Sequence, residues 1–181
     1  MIPFAVNSQQ ALTIRELERA DIARLQSWLA PDDRLTADQL HQRANSADYL
    51  LRVLVVKDAH AMVDRTVGYY LAQQVLDECH LHNIAIAPDF QRRGFARQLL
   101  QDLGQQAVAR QCREILLEVR ASNTAAIALY EHSGFRYQGS RPGYYPARGT
   151  DSTTAQPATV TIANTAAARE DALLYCREYS I

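Results

Sequence analysis

The chain has 181 residues, 48% of them hydrophobic, a length that suits one globular domain with a sizeable core. Its 19 basic and 20 acidic residues leave a formal net charge of -1, so no global field exists to hold a polyanion and nucleic acid is not an expected partner. Any anion site must be local.

Met1-Ile2-Pro3-Phe4-Ala5-Val6 is too short for a signal h-region, and no apolar run approaches the roughly 18 residues of a membrane span. A soluble cytoplasmic protein without a membrane partner is expected. Ala11 to Arg15 reads as a short strand. Ile22, Leu25 and Leu29 then fall at helical spacing over Asp21 to Leu29, until Pro31-Asp32-Asp33 breaks the pattern. Thr36 is placed to cap a second helix through Arg43 with Leu40 inward. Tyr49 to Lys57 and Thr66 to Leu76 are Val- and Leu-rich runs separated by polar Asp58 to Arg65, which predicts two paired strands. A third strand, Glu78 to Ala87, is stopped by Pro88-Asp89, because proline cannot donate to a ladder and restricts the residue before it.

From Gly94 to Arg110 the residues Phe95, Leu99, Leu100, Leu103, Ala107 and Val108 form one helical stripe, with glutamines on the other face. Glu114 to Val119 reads as a strand with Ile115, Leu117 and Val119 on one face and Leu116, Glu118 and Arg120 on the other. A helix over Asn123 to Ser133 is closed by Gly134, which suits the left-handed position after a helix end. Phe135 to Tyr145 and Ala172 to Tyr179 read as two closing strands. Between them Gly149 to Ala168 is rich in Thr and Ala and has few side chains able to repay ordering entropy. It is expected to be a long mobile loop, with a short strand at Thr159-Val160-Thr161-Ile162 as the alternative.

The segment Gln91-Arg92-Arg93-Gly94-Phe95-Ala96-Arg97 lies between a strand and a helix, where first-turn N–H groups and the positive end of the helix dipole make an anion site suited to a pyrophosphate. Gly94 can adopt conformations that a side chain forbids, Ala96 is small enough for close approach, and Arg92, Arg93 and Arg97 add local positive charge. The arginines alone would read as a solvated helix start. Strand, proline, Gln-x-x-Gly-x-Ala and amphipathic helix in that order say more. The chain has no Gly-x-x-x-x-Gly-Lys-Ser/Thr and no Gly-x-Gly-x-x-Gly after a strand, so nucleoside triphosphates and dinucleotides are poor candidates.

Here the chain resembles the GNAT acetyltransferase superfamily, whose acetyl-CoA signature is Gln/Arg-x-x-Gly-x-Gly/Ala. Val75-Leu76-Asp77-Glu78, Asn83-Ile84-Ala85-Ile86, Leu117-Glu118-Val119-Arg120-Ala121-Ser122-Asn123, Ala126 to Glu131, Ser133-Gly134-Phe135, Tyr144-Tyr145-Pro146 and Arg169 to Ala172 are similar to the RimI-type ribosomal-protein-alanine N-acetyltransferases within it. The match covers roughly Tyr69 to Gly149 and the last dozen residues. The first 65 residues match less well, and Gly149 to Ala168 is longer than the usual connection. The resemblance implies an α+β (α/β) class GNAT fold over residues 1–181, with a mixed, mostly antiparallel sheet of about seven strands and helices on both faces.

It also implies acetyl-CoA as cosubstrate, no metal, direct transfer in a ternary complex, and a protein N-terminus, that of a ribosomal protein, as partner. Lysine side chains or small-molecule amines are the alternative acceptors, and an acyl-CoA sensor without turnover is the alternative of another class. By the same resemblance Glu118 is the general base and Tyr130 the general acid for the CoA thiolate. Ile84, Ala85 and Ile86 are the bulged strand whose backbone bonds the pantetheine and polarises the thioester. Gln91, Arg92, Arg93, Gly94, Phe95, Ala96 and Arg97 cradle the pyrophosphate, and Asn123 and Tyr130 contact the cofactor. Asn123 and Tyr130 are seven residues apart, about two helical turns, and so lie near one helix face.

Each of these residues also has a plainer reading. Glu118 could pair with Arg120 along its strand, Asn123 could simply be a helix cap, and Tyr130 a half-buried aromatic. Tyr144 and Tyr145 are expected at the acceptor mouth or in packing. His80 and His82 share a strand face, but no third ligand has suitable spacing. Cys79, Cys112 and Cys176 are odd in number, far apart and without a Cys-x-x-Cys pair, which suits a reducing compartment and argues against a disulfide framework or zinc ribbon.

Overall fold

A computed structural model describes residues 10–29, 35–58, 64–146 and 169–180. The Gly149 to Ala168 segment, including Thr159 to Ile162, lies outside these. Seven strands, β1 (Gln10–Glu16), β2 (Tyr49–Asp58), β3 (Arg65–Val75), β4 (Glu78–Ile86), β5 (Glu114–Arg120), β6 (Arg136–Pro146) and β7 (Arg169–Glu178), form one sheet in the order β1-β2-β3-β4-β5-β7-β6. The β4–β5 pair is parallel and the other neighbours are antiparallel. The helices are α1 (Arg19–Trp28), α2 (Ala37–Ala44), α3 (Phe95–Ala109) and α4 (Thr124–His132), and Pro88–Phe90 makes a single 3-10 turn.

Local chemistry sets these boundaries. Thr36 accepts from the Gln39 N–H while the Gln39 side chain accepts from the Thr36 N–H, a reciprocal cap that starts α2. Gly134 closes α4 at φ +86. In β2 and β3 the dense Val and Leu runs are buried on both faces, because helices cover both sides of the sheet there.

Those two sides are unequal. On one, α3 and α4 pack Leu99, Leu100, Leu103 and Tyr130 against residues running from Leu54 of β2 to Tyr175 of β7. On the other, Ile22, Leu25, Leu29 and Leu40 from the α1–α2 region cover Leu51, Val53, Val55, Tyr69 and Leu71, and the cluster reaches no farther than Ala85 of β4. Among the described residues, no helix covers β5, β7 and β6 on that second side. The expected α3 stripe holds except at Val108, which is 41% exposed, and Gly104 is buried in its stead beside the Tyr179 hydroxyl. Gly68 of β3 leaves no room for a side chain beneath α3: an added Cβ would fall 2.5 Å from Ile86 Cδ1 of β4 and 3.3 Å from Leu99 Cδ1 of α3.

Asp21 anchors α1 to the sheet. Its carboxylate, 1% exposed, accepts from Arg15 at 2.7 and 3.1 Å, from the Thr66 hydroxyl at 2.5 Å and from the Glu18 N–H at 2.9 Å. Burial is the largest single influence and pushes its pKa up, but these hydrogen bonds and the Arg15 charge together outweigh it and leave the pKa below the ordinary value. A depressed carboxyl pKa stabilises the fold above the unfolded value of about 3.9, and that contribution is lost as pH falls through the lower folded value. Asp21→Asn should therefore lower the unfolding free energy at neutral pH by about 1–3 kcal/mol, and should flatten the loss of stability below about pH 4 seen in the parent. Urea titrations of both proteins at several pH values check this.

Candidate active site

The parallel ladder between β4 and β5 runs from Glu78↔Glu114 to Leu81↔Leu117 and stops, although both strands continue. At that point β4 shifts register against β3: Leu81 faces Ala72 and Asn83 faces Leu71, so His82 is the extra residue. The bulge lies in the same strand as Ile84, Ala85 and Ile86 and immediately precedes them, and these three pair regularly with Tyr70, Tyr69 and Gly68. The physical reason is that the kink belongs where β4 begins to leave β5. Beyond it, the β5-facing N–H and C=O groups of Asn83 to Ile86 front a gap that an extended ligand could join as an added strand.

At the end of β4 the chain turns through Pro88–Phe90 into α3. The Gln91 side chain donates to the Ile86 carbonyl at 3.0 Å, tying the turn to the strand. Arg92 and Gly94 both take positive φ, +60 and +79, so the backbone doubles back before Phe95 starts the helix. A Cβ at Gly94 would meet nothing within 4 Å, so the turn is open at the residue that precedes the first-turn N–H groups of α3. Not every residue assigned to this turn presents its side chain there. Phe95 is 4% exposed in the core and could offer a ligand only its N–H. Arg93 donates to the Asp89 carbonyl at 2.8 Å and lies over the Phe90 ring. Arg92 and Arg97 are exposed, and Ala96 is half-buried.

On the uncovered side of the sheet lies a cavity of about 520 Å³, lined by His80, Leu81 and His82 of β4, Leu116, Leu117 and Glu118 of β5, Gln138, Arg141, Tyr144 and Tyr145 of β6, and Leu174 and Tyr175 of β7. Glu118 does not pair with Arg120. Its Oε1 lies 2.7 Å from Arg141 Nη1, a partner 23 residues downstream that arrives because β7 sits between β5 and β6. No spacing in the sequence signals this pair. Arg120 instead donates to the Pro146 carbonyl at 2.8 Å, lies 3.5 Å from Glu170 and stacks 4.4 Å above the Tyr145 ring. Tyr144 and Tyr145 meet edge to face at 5.0 Å and form one wall. His80 is held by Glu78 at 2.8 Å, and no group of three or more metal-capable side chains occurs among the described residues.

Tyr130 lies on the opposite side of the sheet, in the α3–α4 core, 7% exposed and edge-on to Phe135 at 5.8 Å. Burial, with a smaller contribution from Tyr145, pushes its pKa up to about 12, so the phenol keeps its proton at neutral pH. Asn123 caps α4 by accepting from the Ala126 N–H at 3.2 Å. The gap beyond Leu81 and Leu117 therefore separates a carboxylate on one face from a phenol on the other.

Comparison with known proteins agrees with this geometry. Residues 14–135 match the model of the acetyltransferase (GNAT) family. The ribosomal protein bS18-alanine N-acetyltransferase of Salmonella typhimurium is 41% identical over 132 residues, covering 66% of this chain and 86% of that protein. The enzyme of the same name from Escherichia coli K12 is 48% identical over 82 residues, covering 45% of this chain and 55% of its own length. A crystal structure of the ribosomal-protein-S18-alanine N-acetyltransferase from Escherichia coli superposes with a TM-score of 0.71 at 32% identity, covering 94% of this chain and 96% of that one.

Because the Asn123 side chain closes the first turn of α4, Asn123→Ala should lower unfolding stability by about 1 kcal/mol. Asn123→Ser, which keeps a capping oxygen, should recover most of the loss in thermal melts.

Proposed function

Since the chain belongs to the acetyltransferase (GNAT) family, we propose that it acetylates a protein N-terminal α-amine, specifically the N-terminal alanine of a ribosomal protein, with Glu118 and Tyr130 as its acid–base pair. It is an acetyl-CoA-dependent N-acetyltransferase. The acceptor is supported by the names of its relatives from Salmonella typhimurium and Escherichia coli. The observation that carries the residue roles is the opening between β4 and β5, with Glu118 on its cavity side and Tyr130 on its helix side.

The residues present suit acetyl-CoA. The free edge of Asn83 to Ile86 matches an extended pantetheine, and the start of α3 at Gly94, flanked by Arg92 and Arg97, matches a pyrophosphate. Acetyl-CoA supplies an activated thioester. The acceptor amine enters from the cavity, where Glu118 takes a proton as nitrogen attacks and backbone N–H groups at the end of β4 stabilise the oxyanion. Tyr130, held protonated by burial, donates to the departing thiolate from the other face. Placing base and acid on opposite faces keeps them from neutralising one another.

Glu118→Gln and Tyr130→Phe should each reduce kcat by about 10²-fold or more, with folding intact by circular dichroism. Thiol release from acetyl-CoA with an Ala-initiated peptide measures both, and near-parental rates in both variants would remove these assignments. An N-acetylated lysine peptide and a polyamine in the same assay test the acceptor: faster turnover on either than on the free-amine alanine peptide would overturn it.

A further inference from the structure

His82 is the residue at which β4 leaves regular pairing, and the bulge that frees the backbone beyond it also delivers its imidazole into the cavity containing Glu118. Nothing in the roles assigned to Glu118 and Tyr130 uses it. Its Nε2 lies 3.2 Å from Gln73 Oε1. A carboxamide oxygen can only accept, so Nε2 carries the hydrogen and Nδ1 of the neutral ring retains its lone pair. The groups around it are His80 on its own strand, Arg43 at the end of α2, Glu118 on β5 and the ring of Tyr49, 6.4 Å away on β2. His82 is exposed on one side; the covered part of the ring, then His80 and Arg43, push its pKa down against an opposing pull from Glu118, so the ring is neutral at physiological pH.

The acid–base arithmetic of the reaction leaves a place for it. An N-terminal amine has a pKa of about 7.7–8.0 and reaches the cavity largely as ammonium at neutral pH. Conversion of R–NH₃⁺ to an amide removes two protons from nitrogen. Glu118, whose Oε1 lies 2.7 Å from Arg141 Nη1, can take one. A separate acceptor is needed for the other proton.

We propose that His82 is a catalytic residue that takes the first proton from the incoming ammonium, leaving Glu118 to take the second during attack. The inference rests on the α-amine reading above. His82 becomes imidazolium and passes its proton to solvent through the open cavity. The neutral amine forms the N–C bond, the C–S bond breaks, the nitrogen's second proton goes to Glu118, and the thiolate takes the Tyr130 proton. Glu118 and Tyr130 are then restored by proton exchange, so one net proton is released per turnover.

The test is kcat/KM for an Ala-initiated peptide between about pH 6.5 and pH 9, for the parent, His82→Gln and His82→Phe. Both variants remove the titrating ring, and the exposed position of His82 makes either compatible with folding. At about pH 6.5–7 each variant should fall about tenfold or more below the parent, and the ratio should close to within about twofold by pH 9, where the peptide amine deprotonates unaided. A deficit that stays constant with pH would make His82 a mere contact and overturn the proposal, as would no deficit at all. A parent that acetylates no α-amine peptide even at pH 9 would sink the acceptor reading and this inference together, whereas an active parent with a flat variant ratio sinks this inference alone.

Discussion

The end of the β4–β5 ladder at Leu81↔Leu117 is the constraint on which the rest of the molecule depends. A parallel pair contributes hydrogen bonds along its length, so opening it midway forgoes several of them and leaves backbone groups needing a partner. That opening is held by packing on both sides. β4 stays bonded to β3 through Gly68↔Ile86, and β5 stays bonded to β7 through Arg120↔Ala172. Each strand is thus anchored to a different half of the sheet. The site is a seam between two well-ordered halves, which is how a backbone can present free groups without unfolding.

Helix coverage then gives the two mouths of the seam different chemistry. α3 and α4 seal one face into an apolar core, and there Tyr130 loses hydration and keeps its proton. The α1–α2 layer stops at β4 on the other face, so the last three strands of the sheet line a wet cavity carrying Glu118, Arg141 and the two histidines. Burial on the helix side, rather than any spacing in the sequence, is what holds the proton on Tyr130.

The wall of the cavity is a lattice of arginine contacts. Arg120 ties β5 to the ends of β6 and β7 through Pro146, Tyr145 and Glu170, while Glu170 also accepts from the Ser122 N–H at 2.5 Å. Arg141 reaches back to Glu118 and lies 5.6 Å from the Tyr144 ring. Planar guanidinium groups serve here because one group can stack on a ring and hydrogen-bond at its edge together. The consequence is a rim whose Tyr145 is held from β5 by Arg120 and whose Tyr144 is held within β6 by Arg141.

Much of this was legible in the chain itself. Among the described residues the apolar patterns mark the seven strands and four helices to within a few residues, since period 2 and period 3.6 follow from local backbone geometry. Gly94, Gly134, Thr36 and Asn123 mark turns and caps because those conformations depend on the residue and its immediate neighbours. What no local pattern contained was the insertion of β7 between β5 and β6, which brings Arg141 to Glu118 and takes Arg120 away from it. Nor did it contain the bulge at His82, a response to two strands parting, or the positive φ of Arg92. Local spacing determines which elements form and which way a side chain faces; which charges meet, and which are stripped of water, is decided only when distant strands are laid side by side.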